Sequence, residues 1–318
     1  MLRKGKQRRS KSGGRIIGAL SSVYFAIARA LPLGAASNMG GFVGRSLGMT
    51  LMKDRNIARN LMIAFPNLSV GERDRLMAGI ADNLGRVIAE MPHLESFRNN
   101  THNTHVEIEG LDHLPKSGPS VFVGGHLSNW EVGVVALCKH LGGLNTLYSP
   151  IGVPAVDRQL QYFRAKTGAN YLERNRSSLR TIFDDMEKGR SVAMLIDQRV
   201  AAGPTVNFFG RPALASSLPA RLAMRFNVPI IPVDGSRITP HHFVIRLHQP
   251  IRADDYPPES QEQAMTQAMM TAIEGIVRRS PDVWFCNKAR WRDTVAMTAV
   301  IDESPSQLAG AMTAKEEF

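Results

Sequence analysis

The stretch Val121-Phe122-Val123-Gly124-Gly125-His126-Leu127-Ser128-Asn129-Trp130-Glu131 decides how this chain is read. Its apolar start reads as a short strand. The two glycines permit a sharp turn, and Asn129-Trp130-Glu131 opens the helix that follows. An imidazole is thereby set at the carboxyl end of a strand, which is where open α/β sheets place their ligands.

Working outward, the same alternation continues. Strands are expected over residues 106–109, 121–124, 144–149, 170–173, 192–197, 229–233 and 243–247. Helices are expected between them over 130–141, 155–166, 178–188 and 218–226. A further helix over 261–279 has Met265, Met269, Ile273, Ile276 and Val277 on one side. Strands separated by helices predict an α/β layered domain. Upstream, Leu76, Met77, Ile80, Leu84, Val87, Ile88 and Met91 recur at helical steps between 70 and 94, with Ser69 and Glu72 at capping-box spacing. A shorter helix over 56–65 ends at Pro66. There is no internal repeat, and the chain from 294 to 318 has no firm pattern.

Of 318 residues, 43% are hydrophobic and 21% charged, the composition of a folded protein. The reading is one catalytic domain, 53–292, behind a basic tail, 1–15, and an anchor of interfacial helices, 16–52, with a C-terminal tail over 293–318. The net charge is +11, and Arg3, Lys4, Lys6, Arg8, Arg9, Lys11 and Arg15 crowd the first fifteen residues without an acidic partner. A basic tail followed by an apolar run points to an anionic membrane surface. Nucleic acid is disfavoured, because no aromatic platform or recognition motif accompanies the charge. The run from 16 to 28 falls short of the roughly 20 residues a span needs. A cleaved signal peptide competes with a retained anchor, and Arg29, Arg45, Lys53 and Arg55 favour the anchor. Cys138 and Cys286 are too few for a disulfide framework or a zinc site and read as core residues.

His126 and Glu131 are the candidate reaction centre. A carboxylate against one imidazole nitrogen fixes the tautomer and stabilises the imidazolium, leaving the other nitrogen to take a proton from an alcohol. On a regular helix an offset of five residues leaves two side chains about 140° apart. The pair can therefore meet only if His126 lies in the turn before the helix. The bland alternatives are a histidine satisfied in a tight turn and an acidic residue at a helix start. Ser128 is not set in a GxSxG elbow, so direct transfer to a substrate hydroxyl is simpler than a serine nucleophile. His102 and His105 have HxxH spacing without a visible third ligand, His241-His242 follows Pro240, and no metal site is expected.

Several segments in order resemble the bacterial lipid A late acyltransferases, within the wider glycerolipid acyltransferases. GHLSNWE, residues 125–131, is similar to the family's catalytic block. Tyr171-Leu172-Glu173-Arg174 resembles its aromatic-x-x-Arg block. Asp197-Gln198 with Val206-Asn207-Phe208-Phe209-Gly210-Arg211-Pro212 resembles the third block, and Val228-Pro229-Ile230-Ile231-Pro232-Val233 the fourth. Pro281-Asp282-Val283-Trp284-Phe285 and Arg290-Trp291 resemble the closing segment, except that Asn287-Lys288 stands where a histidine is often found.

The resemblance, from about 17 to 292, implies a layered αβα domain with a mixed central sheet behind membrane-associated helices. It implies that His126, oriented by Glu131, deprotonates a hydroxyl of a lipid A precursor, which attacks a thioester on acyl carrier protein. No cofactor and no covalent acyl-enzyme is required. The place implied is the cytoplasmic face of a bacterial inner membrane. Arg164 and Arg174 become candidate ligands of acceptor phosphates. Asp197 could steer such an arginine or cap the next element, and Gln198 accompanies it. Phe209 is a candidate lining of an acyl channel, and Asn129 a helix cap or site residue. Another lipid acceptor, a non-catalytic membrane-binding homologue and a thioester hydrolase are the competing readings.

Overall fold

The structure is a computed structural model, and it describes residues 11–51 and 55–291. Most of the basic tail and all of the C-terminal tail lie outside the described residues.

Two helices, α1 (Lys11–Ala30) and α2 (Leu33–Leu51), precede α3 (Arg55–Ala64) and α4 (Val70–Glu90). The Ser69–Glu72 capping box closes in both directions at the start of α4. The helix expected over 70–94 ends at Glu90, because Pro92 interrupts it; a short 3-10 turn leads on to α5 (Leu94–Asn99). The layered domain follows as β1 (His105–Glu109), β2 (Val121–Gly124), α6 (Trp130–Leu141), β3 (Leu144–Tyr148), α7 (Pro154–Arg164), β4 (Asn170–Glu173), α8 (Arg176–Glu187) and β5 (Ser191–Leu195). It continues with β6 (Thr205–Phe208), β7 (Arg211–Leu214), α9 (Leu218–Phe226), β8 (Ile230–Thr239), β9 (His242–Leu247) and α10 (Gln261–Arg279).

Seven strands form one mixed sheet in the order β1-β9-β8-β2-β5-β3-β4. β8, β2, β5, β3 and β4 run parallel, while β9 is antiparallel to β8 and carries β1 parallel to itself. Side chains alternate across the sheet. Val121, Val123, Val192, Met194 and Ile230 meet α8, α9 and α10 on one face, and Phe122, Ala193 and Ile231 meet α6 on the other. Both faces are covered, which is why these strands read as unbroken apolar runs. The hairpin β6–β7 forms a second small sheet that no apolar period announced, since Asn207 and Gly210-Arg211-Pro212 interrupt it. β8 extends six residues past the expected 233 along its partner β9.

The N-terminal helices pack on this domain. A Cβ at Gly40 would stand 2.3 Å from Gly85 O, and one at Gly44 2.1 Å from Ala81 O, so only glycine lets α2 and α4 approach this closely. Phe25 of α1 meets Phe163 of α7 edge to face, with centroids 5.2 Å apart. Cys138 and Cys286 are buried free thiols, as expected.

Candidate active site

His126 lies in the turn between β2 and α6, beyond the carboxyl end of β2. Gly125 keeps that turn open to its neighbour: a Cβ there would stand 3.4 Å from Asp197 and 2.8 Å from Leu127. Ser128 takes a left-handed backbone, φ 49°, which turns the chain into the helix. Asn129 caps α6, its Oδ1 accepting from the backbone N–H of Glu131 and Val132 at 3.1 and 3.3 Å.

The carboxylate against the imidazole is Asp197, not Glu131. Asp197 Oδ1 stands 2.7 Å from His126 Nδ1, and Oδ2 accepts from the His126 backbone N–H at 3.1 Å and the Trp284 indole N–H at 3.0 Å. Burial of Asp197 pushes its carboxyl up, but the His126 ring and the three donors outweigh it and leave the group below its ordinary value. An ionised carboxylate only accepts, so Nδ1 is the protonated nitrogen and Nε2 carries the lone pair. Nε2 faces Gln198, whose Nε2 lies 3.4 Å away. The imidazole is 21% exposed, so its basic nitrogen is within reach of solvent or substrate.

Glu131 points elsewhere because the first turn of α6 carries it round the helix, away from the preceding turn. It ion-pairs with Arg164 and accepts from Tyr171 Oη at 2.9 Å and Trp130 Nε1 at 3.2 Å. The Arg164 guanidinium lies over the rings of Tyr171 and Tyr148, 5.0 and 5.7 Å from their centroids. Burial lowers the Arg164 pKa, and Glu131 more than compensates, so the pair is a buried, closed unit. Arg164 is thus engaged inside the protein rather than offered to a phosphate. Burial, then Glu131, holds the Tyr171 phenol well above its usual range. Arg174 follows β4 at the same sheet edge with an exposed side chain, its N–H bonded to Tyr148 O.

Phe209 is a core residue. It stacks on Trp284 at 6.1 Å and meets Phe65 and Trp291 edge to face. Its contribution to the site runs through Trp284, which donates to Asp197. Ser128 makes no hydrogen bond to His126 among the described residues, and its buried hydroxyl has no partner. A Ser–His nucleophile pair is therefore not assembled.

Three supports were invisible in the sequence. Glu90, fully buried at the end of α4, accepts from Ser37 Oγ at 2.6 Å and Asn129 Nδ2 at 2.7 Å, and pairs with Arg237 of β8. Asn83, one face-repeat earlier on α4, donates to the Ser128 carbonyl at 2.9 Å. Asn60 of α3 binds the carbonyls of Cys286 and Lys288 and the N–H of Arg290, fixing the segment that carries Trp284. The one available signal was periodic: Asn83, Val87 and Glu90 share a helical face that is otherwise apolar.

The site lies among the carboxyl ends of parallel strands, and it presents an imidazole held at Nδ1 by a buried carboxylate with Nε2 partly exposed. A solved structure of the 1-acyl-sn-glycerophosphate acyltransferase PlsC from Thermotoga maritima is similar at 15% identity and TM-score 0.35, over 88% of this chain and 100% of that one. No curated protein matches the sequence. The family model described as bacterial lipid A biosynthesis acyltransferase matches residues 4–293. With nine-tenths of its length inside that match, the chain belongs to the bacterial lipid A biosynthesis acyltransferase family, and it is an acyltransferase acting on lipid.

Proposed function

We propose that this protein transfers a fatty acyl chain from an acyl carrier protein thioester to a hydroxyl of a lipid A precursor, a step of lipopolysaccharide biosynthesis at the cytoplasmic face of the inner membrane. The observation that carries the chemistry is the ionised Asp197 on Nδ1 of His126 with Nε2 left basic. Nε2 takes the proton of the acceptor hydroxyl as its oxygen attacks the thioester carbonyl. The C–O bond forms, the tetrahedral intermediate expels the carrier thiolate as the C–S bond breaks, and the imidazolium returns its proton to the sulfur. Asp197 stays a carboxylate and stabilises the imidazolium, as the carboxylate of a serine-protease triad does.

The membrane setting is supported by the apolar stripe Ile16, Leu20, Val23 and Ile27 along α1, joined by Phe42 and Leu47 of α2, all exposed. None of the described helices is long and apolar enough to cross a bilayer. A helix with such a stripe between exposed Arg15 and Arg29 is suited to lie in the interface. An acidic carrier protein would be drawn to the same basic surface. In this reading 1–15 is the electrostatic tail, 16–52 the interfacial element and 53–292 the catalytic domain.

Because Arg164 is neutralised by Glu131, Arg174 is the better candidate for an acceptor phosphate. That same neutralisation keeps a glycerolipid, aminolipid or glycolipid acceptor as the second reading. The test gives purified protein acyl carrier protein and coenzyme A thioesters in separate arms, each with a tetra-acylated lipid A precursor or one of the other lipids, and follows products by mass spectrometry. Gain of one acyl mass by the lipid A precursor is expected from the carrier protein arm. Gain by another lipid alone moves the assignment to the second reading.

A further inference from the structure

Away from the catalytic turn, the edge of the sheet gathers three metal-ligating side chains. His105 of β1 and His242 of β9 are register partners, so their side chains leave the sheet side by side. Glu107, two residues after His105, emerges on the same face. The imidazole centroids are 5.0 Å apart, and Nε2 of each ring lies 3.1 Å from the same carboxylate oxygen, Glu107 Oε1. All three donor atoms lie within 4.8 Å of one another. The HxxH spacing had paired His105 with His102; the fold instead bonds His102 Nδ1 to Ser96 and Thr101.

We propose that His105, Glu107 and His242 bind a divalent transition-metal ion, with zinc the ion their chemistry suits. Zinc takes imidazole nitrogen and carboxylate oxygen at about 2.0–2.2 Å, which puts two donors of a tetrahedral ion about 3.3 Å apart. Each Nε2 already stands nearly that far from Oε1, and rotation of the exposed His105 side chain brings its nitrogen toward that of the half-buried His242. One carboxylate offsets half of the ion's charge, and a fourth position is left to water. Two imidazoles favour zinc, copper or nickel over magnesium and calcium. Glu107 and His242 are separated by 135 residues, so the ion ties the edge strand β1 to its neighbour β9 and binds the folded chain in preference to the unfolded one.

The full chain, purified without a histidine tag and stripped with chelator, is titrated with zinc chloride by calorimetry beside His242→Ala, Glu107→Ala and His126→Ala. One saturable zinc per chain is expected in the wild type and in His126→Ala, with affinity lowered about tenfold or more in the other two. Zinc should also raise the thermal midpoint of the wild type and not of His242→Ala. If His242→Ala does not fold, His242→Gln carries the same comparison. Absence of saturable binding, wild-type affinity in the ligand variants, or loss of zinc only in His126→Ala overturns the proposal.

Discussion

Asp197 holds His126 by both of its oxygens, one on Nδ1 at 2.7 Å and one on the backbone N–H of the same residue at 3.1 Å, across 71 residues of sequence. The carboxylate thus fixes both the tautomer of the ring and the path of the chain that carries it. Asp197→Asn keeps the shape but offers an amide that can present its N–H to the ring. Asp197→Asn and His126→Ala are each expected to lower kcat about 10²- to 10⁴-fold with little change in KM. Steady-state acyl transfer by both variants measures this, and wild-type kcat in Asp197→Asn would remove Asp197 from the mechanism.

Glu131 and Arg164 form a pair whose side chains are 3% and 15% exposed. Removing one partner strands a buried charge, which typically costs about 3–5 kcal/mol. Glu131→Gln and Arg164→Met are each expected to lose stability on that scale. The double variant should lose clearly less than the sum, with a coupling of about 1 kcal/mol or more. Denaturant unfolding of the four proteins measures the cycle. Strict additivity would mean that Glu131 and Arg164 do not stabilise the fold as a pair.

Glu90 accepts hydrogen bonds from α2 and from the Asn129 cap and pairs with Arg237, so it connects the N-terminal helices to the catalytic turn. Glu90→Gln leaves the Arg237 charge without a counterion in a site that is otherwise closed. A loss of about 3 kcal/mol in unfolding free energy is expected. Amide exchange should also quicken at Ser128 and Asn129. Unchanged exchange there would reduce Glu90 to a local brace of α4.

The depressed Asp197 carboxyl has a consequence at low pH. A group whose folded pKa lies below its unfolded value, here 3.8, stabilises the fold above that pH and ceases to do so as pH falls through the folded value. The wild type should therefore lose stability on acidification below about pH 5 more steeply than Asp197→Asn, which has no proton to take up there. Thermal midpoints between pH 3 and pH 7 compare the slopes, and equal slopes would contradict an ionised Asp197.

The exposed stripe on α1 should partition into lipid. Full burial of a Leu or Ile side chain contributes about 1.5–3 kcal/mol. Leu20→Glu with Ile27→Glu is therefore expected to weaken binding to anionic vesicles by a hundredfold or more, roughly, while Met62→Glu on α3 leaves it unchanged. Sedimentation with vesicles reads this out. Equal binding by all three proteins would place the contact elsewhere.

Much of this was legible in local pattern. The apolar runs Val121–Val123 and Ile230–Ile231, the capping box at Ser69 and the helical face of α10 are set by neighbours in sequence, and the structure reproduces them. The hairpin of Thr205–Phe208 and Arg211–Leu214 was not, because its pattern is broken by polar residues and a proline.

The sequence by itself determined the layered architecture and the placing of His126 in a Gly-Gly turn at a strand end, since both follow from periodicity and backbone freedom within a few residues. It named Asp197 but not its role, and it gave Glu131 a partner that the helix turns it away from. Only the tertiary structure decided which carboxylate meets the imidazole. β2 and β5 are neighbours in the sheet, Gly124 beside Leu195, and that pairing lays the loops after them against each other. Nearness along the chain suggested Glu131; nearness across the sheet selected Asp197.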